Sequence, residues 1–237
     1  MRATGPAEVP DPPDNDAFTL MMIDDVLLRA IDAAQSLERK SPAAWRAIRQ
    51  NLYLPIRSDG AIAAHDDFRI AEPKGATPSP LAGLFPGGYQ TDPAKARRTL
   101  ELYLSHWQDY VGAPMFPALY TAWAAMAGDR ALALQLFDAG YGAYDAGRFH
   151  QCLEYRPDHP DSETAAGPFF ANLAGMLMGL VYGLTGLEAR GSPETWPKRV
   201  AVLPQGWDAI TIERIWLGAR SARLHVEHGS RATITWL

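Results

Sequence analysis

Two glutamates of this chain stand where acid–base chemistry can be done. Glu154 lies in Arg148-Phe149-His150-Gln151-Cys152-Leu153-Glu154-Tyr155-Arg156-Pro157-Asp158, shortly before an uncharged run from Thr164 to Leu187. A carboxylate that ends an aromatic-rich connection beside a buried segment sits at the rim of a core, where its surroundings can tune its protonation. Glu8, in Gly5-Pro6-Ala7-Glu8, stands just before the first strong helical pattern. Two carboxylates entering from two loops of a helical body are what acid–base hydrolysis of a glycosidic bond needs. One protonates the leaving oxygen; the other takes a proton from water. Taken alone, each residue also fits a solvated loop acid, Glu8 in a flexible leader and Glu154 on a connection.

Other reactive groups carry less. His150, Asp158, His159, Asp161 and Glu163 crowd one loop, but their spacing fits no recognised metal-ligand pattern, so no metal is expected. Cys152 is the lone cysteine, which excludes an internal disulfide; it reads as a small buried thiol rather than a nucleophile. Gly87-Gly88 lacks the strand and helix context of a phosphate-binding loop. Gly175, Gly179 and Gly183 share a helical face and predict close packing against a neighbour, with a shallow sugar-facing surface as the other reading. Trp45, Trp107, Trp123 and Tyr120 read as core more readily than as sugar platforms.

These groups need elements to hold them, and the composition supplies enough. The chain of 237 residues is 47% apolar, sufficient for a real core. Only 21% of residues are charged, without long like-charge runs, which argues against bulk disorder. A net charge of -5 argues against a nucleic-acid partner. The first residues have no apolar signal segment, which with the cysteine usage leads to a cytoplasmic expectation. Thr164–Leu187 is long enough to span a bilayer, but its glycines, Asn172 and Thr185 favour a buried helix from about Pro168 to Leu184 and no membrane partner.

Residues 1–14 read as loop. Asn15 or Asp16 can cap a helix to about Leu37, and Ser41-Pro42 opens a second, to about Leu52. Residues 53–91, rich in proline, read as an irregular stretch of the length that usually carries function. Asp92-Pro93 predicts a helix to about Trp107, and Pro117–Ala127 with Asp129–Tyr144 a helical pair broken at Gly128-Asp129. After Pro197 the period changes: Val200–Leu203, Ala209–Leu217, Ala222–Val226 and Ala232–Trp236 read as short strands. The division expected is a helical domain over residues 1–196 and a β segment over 197–237.

Read together, these segments resemble the later part of the catalytic region of glycoside hydrolase family 65. Gly5-Pro6-Ala7-Glu8-Val9 followed by Asn15-Asp16-Ala17-Phe18-Thr19 resembles the family's G-P-D-E-Y motif and its downstream N-N-x-Y-T, with Ala7 in place of the aspartate. Phe149–Glu154 resembles the segment that ends in the general base of the hydrolytic members. Gly167–Gly175, continuing to Gly183-Leu184-Thr185-Gly186-Leu187, resembles the helix ending in F-G-x-x-G-L, and Leu203-Pro204-Gln205-Gly206-Trp207 the start of the C-terminal β segment. The family's upstream Trp-Asp sugar-binding element has no counterpart here, and its Lys-Gln pair is replaced near Ala76-Thr77.

The resemblance implies a mainly α chain: part of an (α/α)6 toroid followed by a small antiparallel β region. It implies Glu8 as general acid and Glu154 as general base of an inverting hydrolase of α-glucosides, with a carbohydrate substrate and no cofactor. It also implies a fragment or divergent member, completed by an N-terminal portion of the same enzyme. Two other readings stand beside it. One is a non-catalytic helical scaffold that binds carbohydrate; the other is a disaccharide phosphorylase, which uses phosphate in place of water and has no carboxylate base.

Overall fold

The computed structural model describes residues 2–146, 150–158 and 166–237. These residues form eight α-helices and two small antiparallel sheets, so the chain is mainly α with a small β region. They divide into two compact units, Met1–Asp109 and Tyr110–Leu237. None of the described helices is long and apolar enough to cross a membrane.

The first unit contains α1 (Ala17–Ser36), α2 (Ala43–Gln50), α3 (Ser79–Leu84) and α4 (Pro93–Leu104). Asp16 starts α1: its carboxylate accepts from the Thr19 backbone N–H at 2.8 Å and from Thr19 Oγ1 at 2.7 Å, pairing one of the orphan donors of the first turn. Asp92 does the same for α4, accepting from Ala94 and Lys95 N–H with Pro93 at the first helical position. Ala17, Met21 and Ile62 form a buried cluster on which Met22, Leu54, Leu84 and Tyr89 pack. The stretch expected to be irregular is mostly loop but folds α3 against α1. That approach needs Gly83, because a Cβ there would lie 2.0 Å from Met21 Sδ. A single turn, α5 (Trp107–Tyr110), falls at the boundary of the units.

The second unit is built on α6 (Tyr120–Met126), whose residues 120–125 are all buried, preceded by a 3₁₀ turn at Pro117–Leu119. Gly128, with φ of 88°, makes the break before α7 (Arg130–Gly140). Thr121 Oγ1 on α6 donates to Ala133 O on α7 at 2.6 Å. At the start of α7 the Arg130 guanidinium donates to three backbone carbonyls: Leu203 at 2.8 Å, Pro204 at 3.2 Å and Trp207 at 3.2 Å. A two-residue ladder, β1 (Asp145–Ala146) with β2 (Gln151–Cys152), lies where only a loop was expected.

Next comes α8 (Phe170–Met178), continued by a π-helical turn at Gly179–Gly183. The expectation of a wholly buried helix is corrected here: Phe170 is 75% exposed and Leu177 56%, while Asn172, Gly175, Gly179 and Gly183 face inward. Among the described residues, the neighbours of α8 lie on the glycine face. Thr164 and Ala165, at the start of the uncharged run, lie outside the described residues. The glycine face packs as expected. A Cβ on Gly175 would meet Ala118 Cβ at 3.4 Å, and one on Gly179 would meet Ala118 O and Ala122 Cβ at 3.7 Å. There is room for a methyl group and nothing larger. Gly179→Leu should therefore destabilise the chain by about 1–3 kcal/mol through overpacking, while Gly179→Ala should be neutral or stabilising by up to about 1 kcal/mol. Denaturant unfolding of both variants checks this.

The three-stranded sheet has the order β3 (Ala209–Leu217), β4 (Arg220–Glu227), β5 (Thr233–Trp236). Alternation puts Ala222, Leu224 and Val226 on its buried face. Gly218, with φ of 65°, permits the tight β3–β4 connection, and the register slips between Ile212 and Ile215. The strand expected at Val200–Leu203 is not formed. Ala201 N–H donates to Ser230 O and Gly229 N–H donates to Ala201 O, so its partners lie in the turn at 228–230 rather than in a strand.

Candidate functional site

The residues preceding α1 fold back as a loop. Arg2 and Asp14 form an isolated antiparallel bridge, and residues 5–8 turn between them. Gly5 has φ of 56° and lies so close to the Asp16 carboxylate that a Cβ would sit 2.2 Å from Oδ2. Any other residue would both strain the turn and strike the cap of α1. The turn presents Glu8, exposed and itself left-handed with φ of 51°. Lys74 Nζ donates to Glu8 O at 3.2 Å, across 66 positions of sequence.

Behind this turn lies an enclosed cavity of about 20 Å³, lined among others by Ala7, Asp16, His65, Glu72, Lys74 and Ser79. That is room for about one water. His65 and Glu72, each about one-fifth exposed, meet there with Nε2 and Oε1 2.6 Å apart. His65 Nδ1 lies 2.6 Å from Asp66 O. A carbonyl can only accept, so Nδ1 carries a hydrogen. The Asp66 carboxylate accepts from Asn15 Nδ2 at 2.8 Å and from the Tyr53 hydroxyl at 3.0 Å, and the latter bond holds the Tyr53 phenol above its ordinary range.

Seven non-glycine residues have positive φ among the described residues, and four of them belong to this corner: Glu8, Asn15, Asp67 and Lys74. Left-handed backbone at such residues is uncommon and gathers at functional sites. Sequence reading placed Glu8 and the irregular stretch but missed Lys74, His65 and Glu72. The position at which the family's Lys-Gln pair is replaced was set near Ala76-Thr77, two residues past Lys74. No motif marks these side chains: His65 and Glu72 meet across seven positions of irregular chain, and Lys74 meets Glu8 across 66.

Glu154 belongs to the second unit and is half-buried. Its backbone N–H donates to Ala166 O at 2.8 Å. The preceding residue is pinned twice: Leu153 N–H donates to Tyr144 O at 2.9 Å, and Leu153 O accepts from Asn172 Nδ2 on α8 at 2.9 Å. Tyr144 is buried, its hydroxyl accepting from Gly112 N–H at 2.8 Å and donating to Ala113 O at 2.9 Å, and burial holds its phenol well above the ordinary range. Cys152 is 2% exposed, and burial pushes its thiol up, away from a reactive thiolate. Phe149, at the start of the matching motif, lies outside the described residues, as do His159, Asp161 and Glu163 of the histidine-rich loop. Among the described residues no group of three or more His, Cys, Asp or Glu is arranged to hold a metal ion.

Asn172 is fully buried and ties α8 to the Glu154 segment. Asn172→Ala should cost about 1–3 kcal/mol, because the buried Leu153 carbonyl loses its amide donor. Thermal unfolding of the variant checks the magnitude.

Glu8 and Glu154 therefore stand in different units, each on a loop whose backbone is fixed. No family model matches the chain. It is similar to a kojibiose hydrolase from Mucilaginibacter mallensis, with 28% identity over 200 residues. The similarity covers 84% of this chain and 28% of that protein, so the chain spans little more than a quarter of the relative's length. A match of 200 residues within 237 must span residues 38–200, and so takes in His65, Glu72, Lys74 and Glu154.

Proposed function

We propose that this chain carries the acid and the base of an inverting hydrolase of α-glucosides, of the family 65 type, as part of an (α/α)6 toroid. The observation that carries the reading is the likeness to a kojibiose hydrolase across the segment that holds Glu154. The geometry around Glu8 supports it, with a left-handed turn fixed by Lys74 and backed by the His65–Glu72 pair. Glu8 protonates the glycosidic oxygen as the bond breaks. Glu154 takes a proton from a water that attacks the opposite face of the sugar. Inverting glycosidases in general keep their two carboxyl groups roughly 6.5–9.5 Å apart, leaving room for the water.

Inversion converts an α-glucoside into β-glucose. Proton NMR of the first minutes of turnover should show the β-anomer, without any requirement for phosphate. Initial α-glucose would overturn the inverting assignment, and phosphate-dependent turnover would select the phosphorylase. The cavity beside Glu8, about 20 Å³, does not admit a glucosyl unit; this weighs against catalysis within it and keeps a second reading, a non-catalytic scaffold that binds carbohydrate elsewhere. Sugar binding without turnover, in the longest protein the gene encodes, would select that reading.

A further inference from the structure

Helix α1 is apolar on two sides. Its buried residues, Ala17, Leu20, Met21, Asp25 and Ile31, face the first unit. At about 100° per residue, the opposite arc carries Met22, Ile23, Val26, Leu27 and Ala30, with Thr19 as its polar member and no charge. Val26 is 62% exposed, and Ile48 of α2 is 47% exposed. Together with the partly exposed residues of the stripe they bound an open groove of about 540 Å³. A helix that is apolar all round is ordinarily covered all round, and an exposed apolar patch of this kind marks contact with another molecule. We propose that this groove is the interface of a symmetric homodimer, in which α1 of one copy lies across α1 of its partner.

Phe18, Met22 and Val26 form one row at four-residue spacing, and Thr19, Ile23 and Leu27 form the next. Rows of this kind interdigitate when two helices cross at about −50°, with their axes about 8–10 Å apart. A two-fold axis through the groove then seats Val26 of each copy between the Ile23–Leu27 row and Ile48 of the other. Such a contact closes on itself, so association stops at the dimer.

Charge favours a second copy as the occupant. Asp24 and Asp25 of α1 are paired inside the chain, Asp24 with Arg49 of α2 at 2.8 Å and Asp25 with Arg29 at 2.5 Å. Two copies, each of net charge -5, can therefore meet here without an unpaired like charge at the centre. Length agrees. With its 20 residues, α1 is about 30 Å long and about 10 Å wide. With α2 beside it, the face offers on the order of 600 Å² per copy, the lower end of specific interfaces. The exposed face of α8, on a helix of 9 residues, is less than half as long and falls short of that. The dimer stands or falls independently of the hydrolase reading, because association is measured without turnover.

The test is sedimentation equilibrium of the purified chain from about 1 to about 200 μM. The mass should rise with concentration from 26.0 kDa toward twice that value, with a dissociation constant on the order of 10 μM. Val26→Glu buries a carboxylate in the apolar groove of each copy and should weaken association about a hundredfold, leaving a monomer across the range. Leu177→Glu, on the exposed face of α8, should change nothing. Circular dichroism shows whether each variant is folded. Should Val26→Glu fail to fold, Val26→Ser carries the test, with a loss of about tenfold. A monomer at every concentration would overturn the dimer and leave the groove to a segment of another polypeptide. A dimer that survives in folded Val26→Glu, or one that Leu177→Glu abolishes, would overturn this face as its interface.

Discussion

Glu154→Gln should lower hydrolysis of an α-linked disaccharide by about 10²–10⁴-fold, the range that positioned general-base catalysis supplies. The amide is nearly isosteric and cannot take the proton from water. The fold should persist, because the segment is held by backbone bonds that do not involve the side chain: Glu154 N–H to Ala166 O, Leu153 N–H to Tyr144 O, and Asn172 to Leu153 O. A thermal midpoint close to that of the parent, together with the rate loss, separates a chemical role from a structural one. Full activity in the variant would remove Glu154 from the mechanism.

Glu8→Gln should be nearly as damaging for a natural disaccharide, whose leaving group needs a proton. With an activated aryl α-glucoside, whose phenolate leaves unaided, the loss should shrink to within about tenfold, since the proton donated by a general acid is then hardly needed. The contrast between substrates is the measurement, taken on the longest protein the gene encodes. Equal losses on both substrates would assign Glu8 to shaping the turn rather than giving the proton. The turn itself does not rely on the carboxylate, because Lys74 binds the carbonyl of Glu8.

Much of the fold could be read from residues that act locally. Asp16 and Asp92 mark helix starts because an aspartate cap binds N–H groups two or three positions away. Gly175 and Gly179 announce a packing face because the helical period alone puts them together. The strands at 209–217, 220–227 and 233–236 follow from alternation and from the turn at Gly218. What escaped carries no periodic or capping signal. The β1–β2 ladder is two residues long, too short for any periodic signal. The outer face of α8 is as apolar as the inner one, so hydropathy could not tell that Phe170 and Leu177 meet solvent. At the candidate site, Glu8 stood out by its place before the first helix and by the resemblance of Gly5-Pro6-Ala7-Glu8-Val9 to a family motif. Lys74 and the His65–Glu72 pair did not, since they meet Glu8 or one another only once the chain from 53 to 91 has folded.

Arg130 bears on how this chain can vary. Its guanidinium reads the shape of the connection before the sheet, through the carbonyls of Leu203, Pro204 and Trp207, and not the identity of those side chains. A backbone carbonyl is the same group in every residue. The loop can therefore drift in sequence while its path is held, and substitutions there should be judged by whether they keep the three oxygens converging. Arg130 itself has no such latitude, because a lysine brings one ammonium on a flexible stem where a rigid fork of five donors is in use.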